Sequence, residues 1–399
     1  MSNQKAKSID AKCFCCKSED LDCIDLGKEL IDSSNFYQQD EIPPKFHYQL
    51  TVCQDCGHVE IKSDNPSWLS TRKHSFITYN EPTDYFPLIA NLIRSIDIDL
   101  SDTSLHTFSY KDFDLVNYLR DEFKINDIQK NDYAKTSDVW FPTSTTSGDQ
   151  VQPQALKNFI YEIEVSTKKN KIVVISRFFD HVSNIELINA VLDLCTKSVH
   201  LIFDINDYEK LFGSNTLEYV WIERRNLFSR DEIDRLAKVR GTRLLSLAYE
   251  SQTTSPTIFG LISNEVNNQV KVTPVEGLEF SKPNVISRLK QLRSRWTEAL
   301  PEDSKLGVIG ASHKGISLAQ FVLGDDVQYS LHDDKEVLRG KIPPVDPPLG
   351  FHRVSDFDFS TYSHVAITTT KVIAAKIIPK LRASGFNGVI LDFDCQILN

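Results

Sequence analysis

Two cysteine pairs, Cys13-Phe-Cys-Cys16 and Cys53-Gln-Asp-Cys56, constrain this chain more than any other feature. Two residues separate the thiols of each pair, so a tight knuckle aims both sulfurs at one point. Four thiolates from two knuckles form the closed tetrahedral shell of a structural zinc ion. Gly57 follows the second pair, where a positive φ is wanted. The 36-residue spacer between the pairs predicts a small sheet inside the loop. Cys15 and Cys23 are alternatives to Cys16 whose spacings fit less well, and both read as ordinary thiols.

The other numbers narrow the class. A chain of 399 residues is long enough for two or three domains. A net charge of −10 with no strongly basic stretch argues against nucleic acid as the main partner. No apolar run approaches the roughly 18–20 residues that span a bilayer, so no membrane partner is expected. The start, Met1 to Asp10, is polar and lacks the apolar core of a secretory signal. Four of the eight cysteines cluster early and Cys195 and Cys395 stand alone, a distribution that suits a metal site in the cytoplasm better than disulfides.

From Ser67 to Tyr85 runs a polar, aromatic-rich connector with Asn80-Glu81-Pro82 in its middle, read as a packed linker or a flap. Helical and strand-like signals then alternate. Helices are expected over Leu88 to Ile98, Asp114 to Phe123, Asn184 to Cys195 and Asp231 to Val239, the last closed by Gly241. Strands are expected over Ser104 to Phe108, Ile172 to Ile175 and His200 to Asp204, giving a mostly parallel sheet with helices on both faces. Asp138 to Pro153 reads as a long surface loop, and the pattern from Glu250 to Ser287 is irregular. A second, smaller α/β unit follows the helix Ser287 to Ala299. It has strands at Leu306 to Ala311 (ending in a turn), Val327 to Leu331, His364 to Thr368 and Gly388 to Asp392, and helices from Lys314 and over Lys371 to Ala383.

Taken in order, Cys13-x-x-Cys16, Asp25-Leu-Gly27, Cys53-x-x-Cys56-Gly57, Ser176-Arg-Phe-Phe-Asp-His181, Trp221-Ile-Glu-Arg-Arg-Asn-Leu-Phe-Ser229, Gly310-Ala-Ser-His-Lys-Gly315 and His332-Asp-Asp-Lys-Glu-Val-Leu-Arg-Gly-Lys341 resemble the nucleotide-sugar C-methyltransferases. That resemblance implies an α/β protein in three parts. A zinc-binding domain (1–66) and a connector or flap (67–86) come first. A class I methyltransferase-like Rossmann-type domain (87–285) and a Rossmann-like domain (286–399) follow. It further implies S-adenosylmethionine as cofactor, a nucleotide-linked deoxy- or keto-sugar as substrate, and work in glycan or antibiotic-sugar biosynthesis.

The same resemblance distributes roles. His181 is the base or its partner, Tyr79 and Glu223 position the sugar, and Arg224 stabilises charge. Cofactor contacts fall on Phe108, Tyr110, Asp112 and Asp204. Glu81, Gly310, Ser312, Lys314, Gly315 and Asp333 or Asp334 face the nucleotide-sugar. The turn at Gly310 has a physical case of its own, because a strand enters it and a helix leaves it, presenting free N–H groups to a phosphate.

Two departures stand out. The segment Leu105 to Asp112, where the family has a glycine-rich turn, contains no glycine. The family's Glu-His is here Glu223-Arg224, and arginine cannot serve as a base. Two functions therefore stay open. One is a methyltransferase. The other is a methyltransferase-fold protein that has lost this chemistry and binds a nucleotide-sugar, or performs another reaction, in the same pathway.

Overall fold

The computed structural model describes residues 12–31, 37–38, 45–63, 83–133, 154–182, 185–208, 210, 225–249, 256–265, 285–310, 313–323, 327–334, 341–342, 351–354 and 358–398. The N-terminal part forms the sheet expected between the cysteine pairs. Strands β1 (Leu21–Ile31), β3 (Lys45–Cys53) and β4 (Val59–Ser63) pair antiparallel in that order, while β2 (Tyr37–Gln38) lies apart. Alternation on β1 and β3 turns Ile24, Leu26, Tyr48, Leu50 and Val52 to one side, where they are buried.

In the central part, α1 (Phe86–Ile93) precedes β5 (Thr103–Thr107), α2 (Phe113–Phe123) and β6 (Asp127–Gln129). Next come α3 (Gln154–Val165), β7 (Asn170–Ser176), α4 (Phe178–His181), α5 (Ile185–Leu194) and β8 (Val199–Asn206). The series closes with β9 (Asn226–Leu227), α6 (Arg230–Lys238), β10 (Arg243–Tyr249) and β11 (Thr257–Ser263). Six of these strands form one sheet in the order β10-β11-β8-β7-β5-β6. Strands β6, β5, β7 and β8 run parallel, and β11 is inserted antiparallel to both neighbours. One apolar cluster covers each face, around Phe159, Phe179 and Phe203 on one side and Ile89, Leu119 and Ile172 on the other.

The irregular pattern expected after Glu250 is corrected by β11, and β10 was not expected at all. All seven residues of β11 are buried, and burial on both faces erases the alternation that marks a strand. Its Gly260 is a packing device: a Cβ there would lie 2.3 Å from the Phe203 ring on the facing strand. The first helix also begins earlier and ends sooner than its apolar spacing suggested, because Pro87 sits comfortably in a first turn.

The C-terminal part starts with α7 (Val285–Ala299), followed by β12 (Lys305–Ile309) and α8 (His313–Ser317). The helix then widens into a π-turn over Leu318–Val322. Strands β13 (Gln328–His332), β14 (Lys341–Ile342), β15 (Phe351–His352) and β16 (His364–Ile367) precede α9 (Lys371–Ala383) and β17 (Val389–Asp392). Five form an all-parallel sheet, β15-β13-β12-β16-β17, in which the chain changes direction between β12 and β16. Crevices for ligands form at such a switch point.

The N-terminal sheet is packed into this last part. Tyr48, Leu50 and Ile61 share a cluster with Leu289, Leu292 and Trp296 of α7 and with Leu306 and Val308 of β12. It also reaches the central part, because β4 pairs with β9, while β2 pairs with β14 of the C-terminal part.

Candidate functional site

The two knuckles are built alike. In the first, the Lys17 N–H bonds to the Cys13 carbonyl at 3.1 Å. In the second, the Gly57 N–H bonds to the Cys53 carbonyl at 2.9 Å. Both turns need the left-handed backbone, with φ of 63° at Lys17 and 78° at Gly57. Cys13 Sγ lies 3.6 Å from Cys56 Sγ, and Cys16 Sγ lies 3.5 Å from Cys53 Sγ. All four sulfurs fall within 4.8 Å of one another, so the cluster can hold a metal ion. Four sulfurs at about 2.3 Å from one ion would stand roughly 3.8 Å apart, close to what the turns already provide.

At the carboxyl end of the central sheet, the loop after β5 is occupied by its own acceptors. Asp112 Oδ2 receives the N–H groups of Phe108 and Ser109 at 3.2 and 2.8 Å, and its Oδ1 receives that of Ser176 at 3.0 Å. The Tyr110 N–H goes to Asp132, that of Lys111 to the Ser109 hydroxyl, and that of Asp112 to the Ser109 carbonyl. Every backbone donor from Phe108 to Asp112 therefore has an internal acceptor. Burial pushes the Asp112 carboxyl up to about 7, against the pull of these donors from Ser176 and Ser109. The loop is also tied to β6, since the Tyr133 N–H bonds to the Phe108 carbonyl and Thr107 and Asn131 exchange two bonds.

Further along the same edge, Asp204 receives the Arg177 N–H at 2.9 Å, and its other oxygen pairs with Arg177 Nε at 2.8 Å. Arg177 has a φ of 60°, and this bidentate hold is what fixes a non-glycine residue there. Asp180 accepts from Asn206 Nδ2 at 2.7 Å. His181, the last residue of α4, is half-buried. Of the four residues assigned to the cofactor, Phe108, Asp112 and Asp204 are buried and Tyr110 is 48% exposed. Tyr79, Glu81, Glu223, Arg224 and Ser312 lie outside the described residues.

The C-terminal crevice is finished differently. Gly310 ends β12 with a φ of 92°, and a Cβ there would meet the Thr369 methyl at 2.6 Å. Gly315 lets α8 approach so closely that a Cβ would lie 2.5 Å from the Gly310 carbonyl oxygen. The Thr368 hydroxyl donates toward the carbonyls of Ile309 and Gly310 at 3.0 and 2.9 Å. The neighbouring Thr369 hydroxyl oxygen is buried with no partner among the described residues. Lys314 and Asp333 are half-buried, and the Asp333 N–H bonds to the His352 carbonyl across β13 and β15. Thr369 escaped the sequence reading because nothing local marks it; only its place opposite Gly310 does.

A third grouping was also missed. Cys15, His58 and Glu232 bring one donor atom each within 4.8 Å of the others, although His58 and Glu232 are 174 residues apart.

No protein-family model matches this chain, and no curated protein matches it. Solved structures do. The methyltransferase domain of bacterial CtHen1 is 12% identical with a TM-score of 0.29, over 45% of this chain and 96% of that one. Mitomycin 7-O-methyltransferase MmcR is 11% identical with a TM-score of 0.28, over 45% of this chain and 54% of that one. LepI in complex with SAM is 10% identical with a TM-score of 0.28, over 49% of this chain and 54% of that one. The chain thus spans about half the length of the last two.

Proposed function

We propose that this chain is a nucleotide-sugar-binding protein of glycan biosynthesis, built on a methyltransferase-type scaffold whose donor crevice is closed by its own side chains. The single observation that carries this is the complete internal pairing of the N–H groups from Phe108 to Asp112. A glycine-rich turn would leave such groups to a cofactor; here Asp112, Asp132 and Ser109 accept them instead. The ligand sits instead at the switch point of the C-terminal sheet, against Gly310, Gly315 and Thr369. There the backbone approach is kept open by glycine and a buried hydroxyl awaits an acceptor or donor. Lys314 and Asp333 stand at the same edge for phosphate and ribose. The Cys13, Cys16, Cys53 and Cys56 shell holds zinc, which is structural because four thiolates leave no open position.

Calorimetric titration tests the reading. S-adenosylmethionine and S-adenosylhomocysteine should give no binding heat at millimolar concentration, whereas uridine, guanosine or thymidine diphosphate should saturate a single site. Saturable binding of S-adenosylmethionine at micromolar concentration would return the chain to the transferases.

That second reading has one observation in its favour: the strand order β6-β5-β7-β8-β11-β10, with a lone antiparallel strand inserted beside a parallel set, is the sheet a class I methyltransferase requires. Under it the half-buried His181 takes the substrate proton, Tyr79 and Glu223 hold the sugar, Arg224 meets the developing charge, and Glu81 belongs to the flap.

A further inference from the structure

We infer that Cys15, His58 and Glu232 form a second metal site, for a divalent ion of the zinc class, between the cysteine-knuckle unit and the helix Arg230–Lys238. The argument begins with His58, whose side chain is 0% exposed. Its Nε2 faces Asn226 Oδ1 at 3.2 Å. The Asn226 amide cannot be turned round, because its Nδ2 donates to the Val182 carbonyl. Nε2 is therefore the donor in that contact, which leaves Nδ1 as the nitrogen turned toward Glu232 and Cys15. Nδ1 in turn faces Glu232 Oε1 at 2.8 Å. As it stands this contact is a buried ion pair, and a divalent ion that took both atoms as ligands would replace the shared proton.

The carboxylate is fixed in the same manner. Glu232 Oε2 accepts the Ser229 N–H at 2.7 Å, which leaves Oε1 for the third partner. Cys15 Sγ lies within 4.8 Å of both the imidazole and the carboxylate donor atoms. Phe14 stacks on the His58 ring at 5.7 Å and Phe228 lies against it at 4.9 Å, giving the site a dry apolar wall. An imidazole whose far nitrogen donates to an amide oxygen, beside a carboxylate held by a backbone N–H, is the outer arrangement that orients metal ligands. Sulfur, nitrogen and oxygen together suit Zn2+ or Co2+ better than a hard cation. Binding releases two protons to solvent, that of the Cys15 thiol and that shared by Nδ1 and Oε1, and draws these two atoms apart to about 3.4 Å, the spacing of two donors on one tetrahedral ion. The half-exposed side at Cys15 leaves the fourth position to water.

Metal content of the full chain decides the matter. Protein stripped of metal, reduced, loaded with excess Zn2+ and desalted should carry two equivalents. Cys15→Ser and Glu232→Gln should each carry one, the glutamine still capping its helix. One equivalent in the parent protein and in both variants overturns the inference. X-ray absorption on the loaded parent chain gives the same answer without a variant. Two sites predict an average shell of about 2.5 sulfurs and 1.5 nitrogens or oxygens per zinc, whereas a shell of sulfur alone refutes the second site.

Discussion

Two sheets in this chain, one mixed and one all-parallel, end in crevices among their parallel strands, and the two are finished in opposite ways. In the central sheet, three carboxylates, Asp112, Asp132 and Asp204, reach back to collect the backbone N–H groups that face the crevice. In the C-terminal sheet, glycines clear the approach and the Thr369 hydroxyl oxygen is buried without a partner among the described residues. A buried polar group costs stability unless it is satisfied. The central crevice meets that requirement from within, and the C-terminal one leaves it for something else to meet. A fold can thus keep the outline of a binding site in one half while its donors are retired there and kept in the other.

The largest effect that would break this comparison is expected at Gly315. In Gly315→Ala the new methyl would lie 2.5 Å from the Gly310 carbonyl oxygen, a backbone atom that cannot swing aside. The helix must move, at a cost of about 3 kcal/mol. Urea denaturation should register that loss, and calorimetry should show nucleoside diphosphate binding abolished. Undiminished binding would mean that the close approach serves packing alone.

Asp112→Asn comes next. The amide offers one oxygen where the carboxylate offers two, and its NH2 would face a donor, for a loss of about 2 kcal/mol. The same residue has a pH signature. Its folded-state value, pushed up to about 7 by burial, lies above the unfolded value near 3.9. Between those limits the folded state binds the extra proton, so the unfolding free energy falls as pH rises from about 4 through about 7. Urea midpoints measured from pH 5 to 8 should drop in the parent protein and change less in Asp112→Asn. Equal slopes would remove Asp112 from the account of how the central crevice is sealed.

What the sequence made legible follows from distance along the chain. The knuckles could be read because Cys13 and Cys16, or Cys53 and Cys56, are neighbours and Gly57 announces its own φ. Lys17, which takes the same backbone conformation in the other knuckle, announces nothing. Helices such as Phe113–Phe123 and Lys371–Ala383 fall where their apolar spacing placed them. Strand β11 was lost because its neighbours bury both faces, and its glycine reads as a breaker until Phe203 is seen lying over it. The missing glycine after β5 was visible, but not what replaced it. Asp132 and Ser176 lie 22 and 64 residues from their partners, so only the folded sheet brings them together. The grouping of Cys15 and His58 with Glu232 is illegible for the same reason.

The smallest expected effect is the sharpest. Thr369→Val keeps the shape of the side chain and removes the hydroxyl whose oxygen is buried without a partner among the described residues. If that oxygen belonged to the fold, its loss would cost stability. Because no described residue satisfies it, valine should leave the free protein as stable or raise it by up to about 1 kcal/mol. A ligand that supplies the missing partner should suffer instead, with nucleoside diphosphate affinity falling roughly tenfold, or about 1.4 kcal/mol. The two measurements move in opposite directions only if the hydroxyl is held for a ligand. A variant that is less stable and binds as before would make the C-terminal crevice as self-contained as the central one, and the contrast between them would vanish.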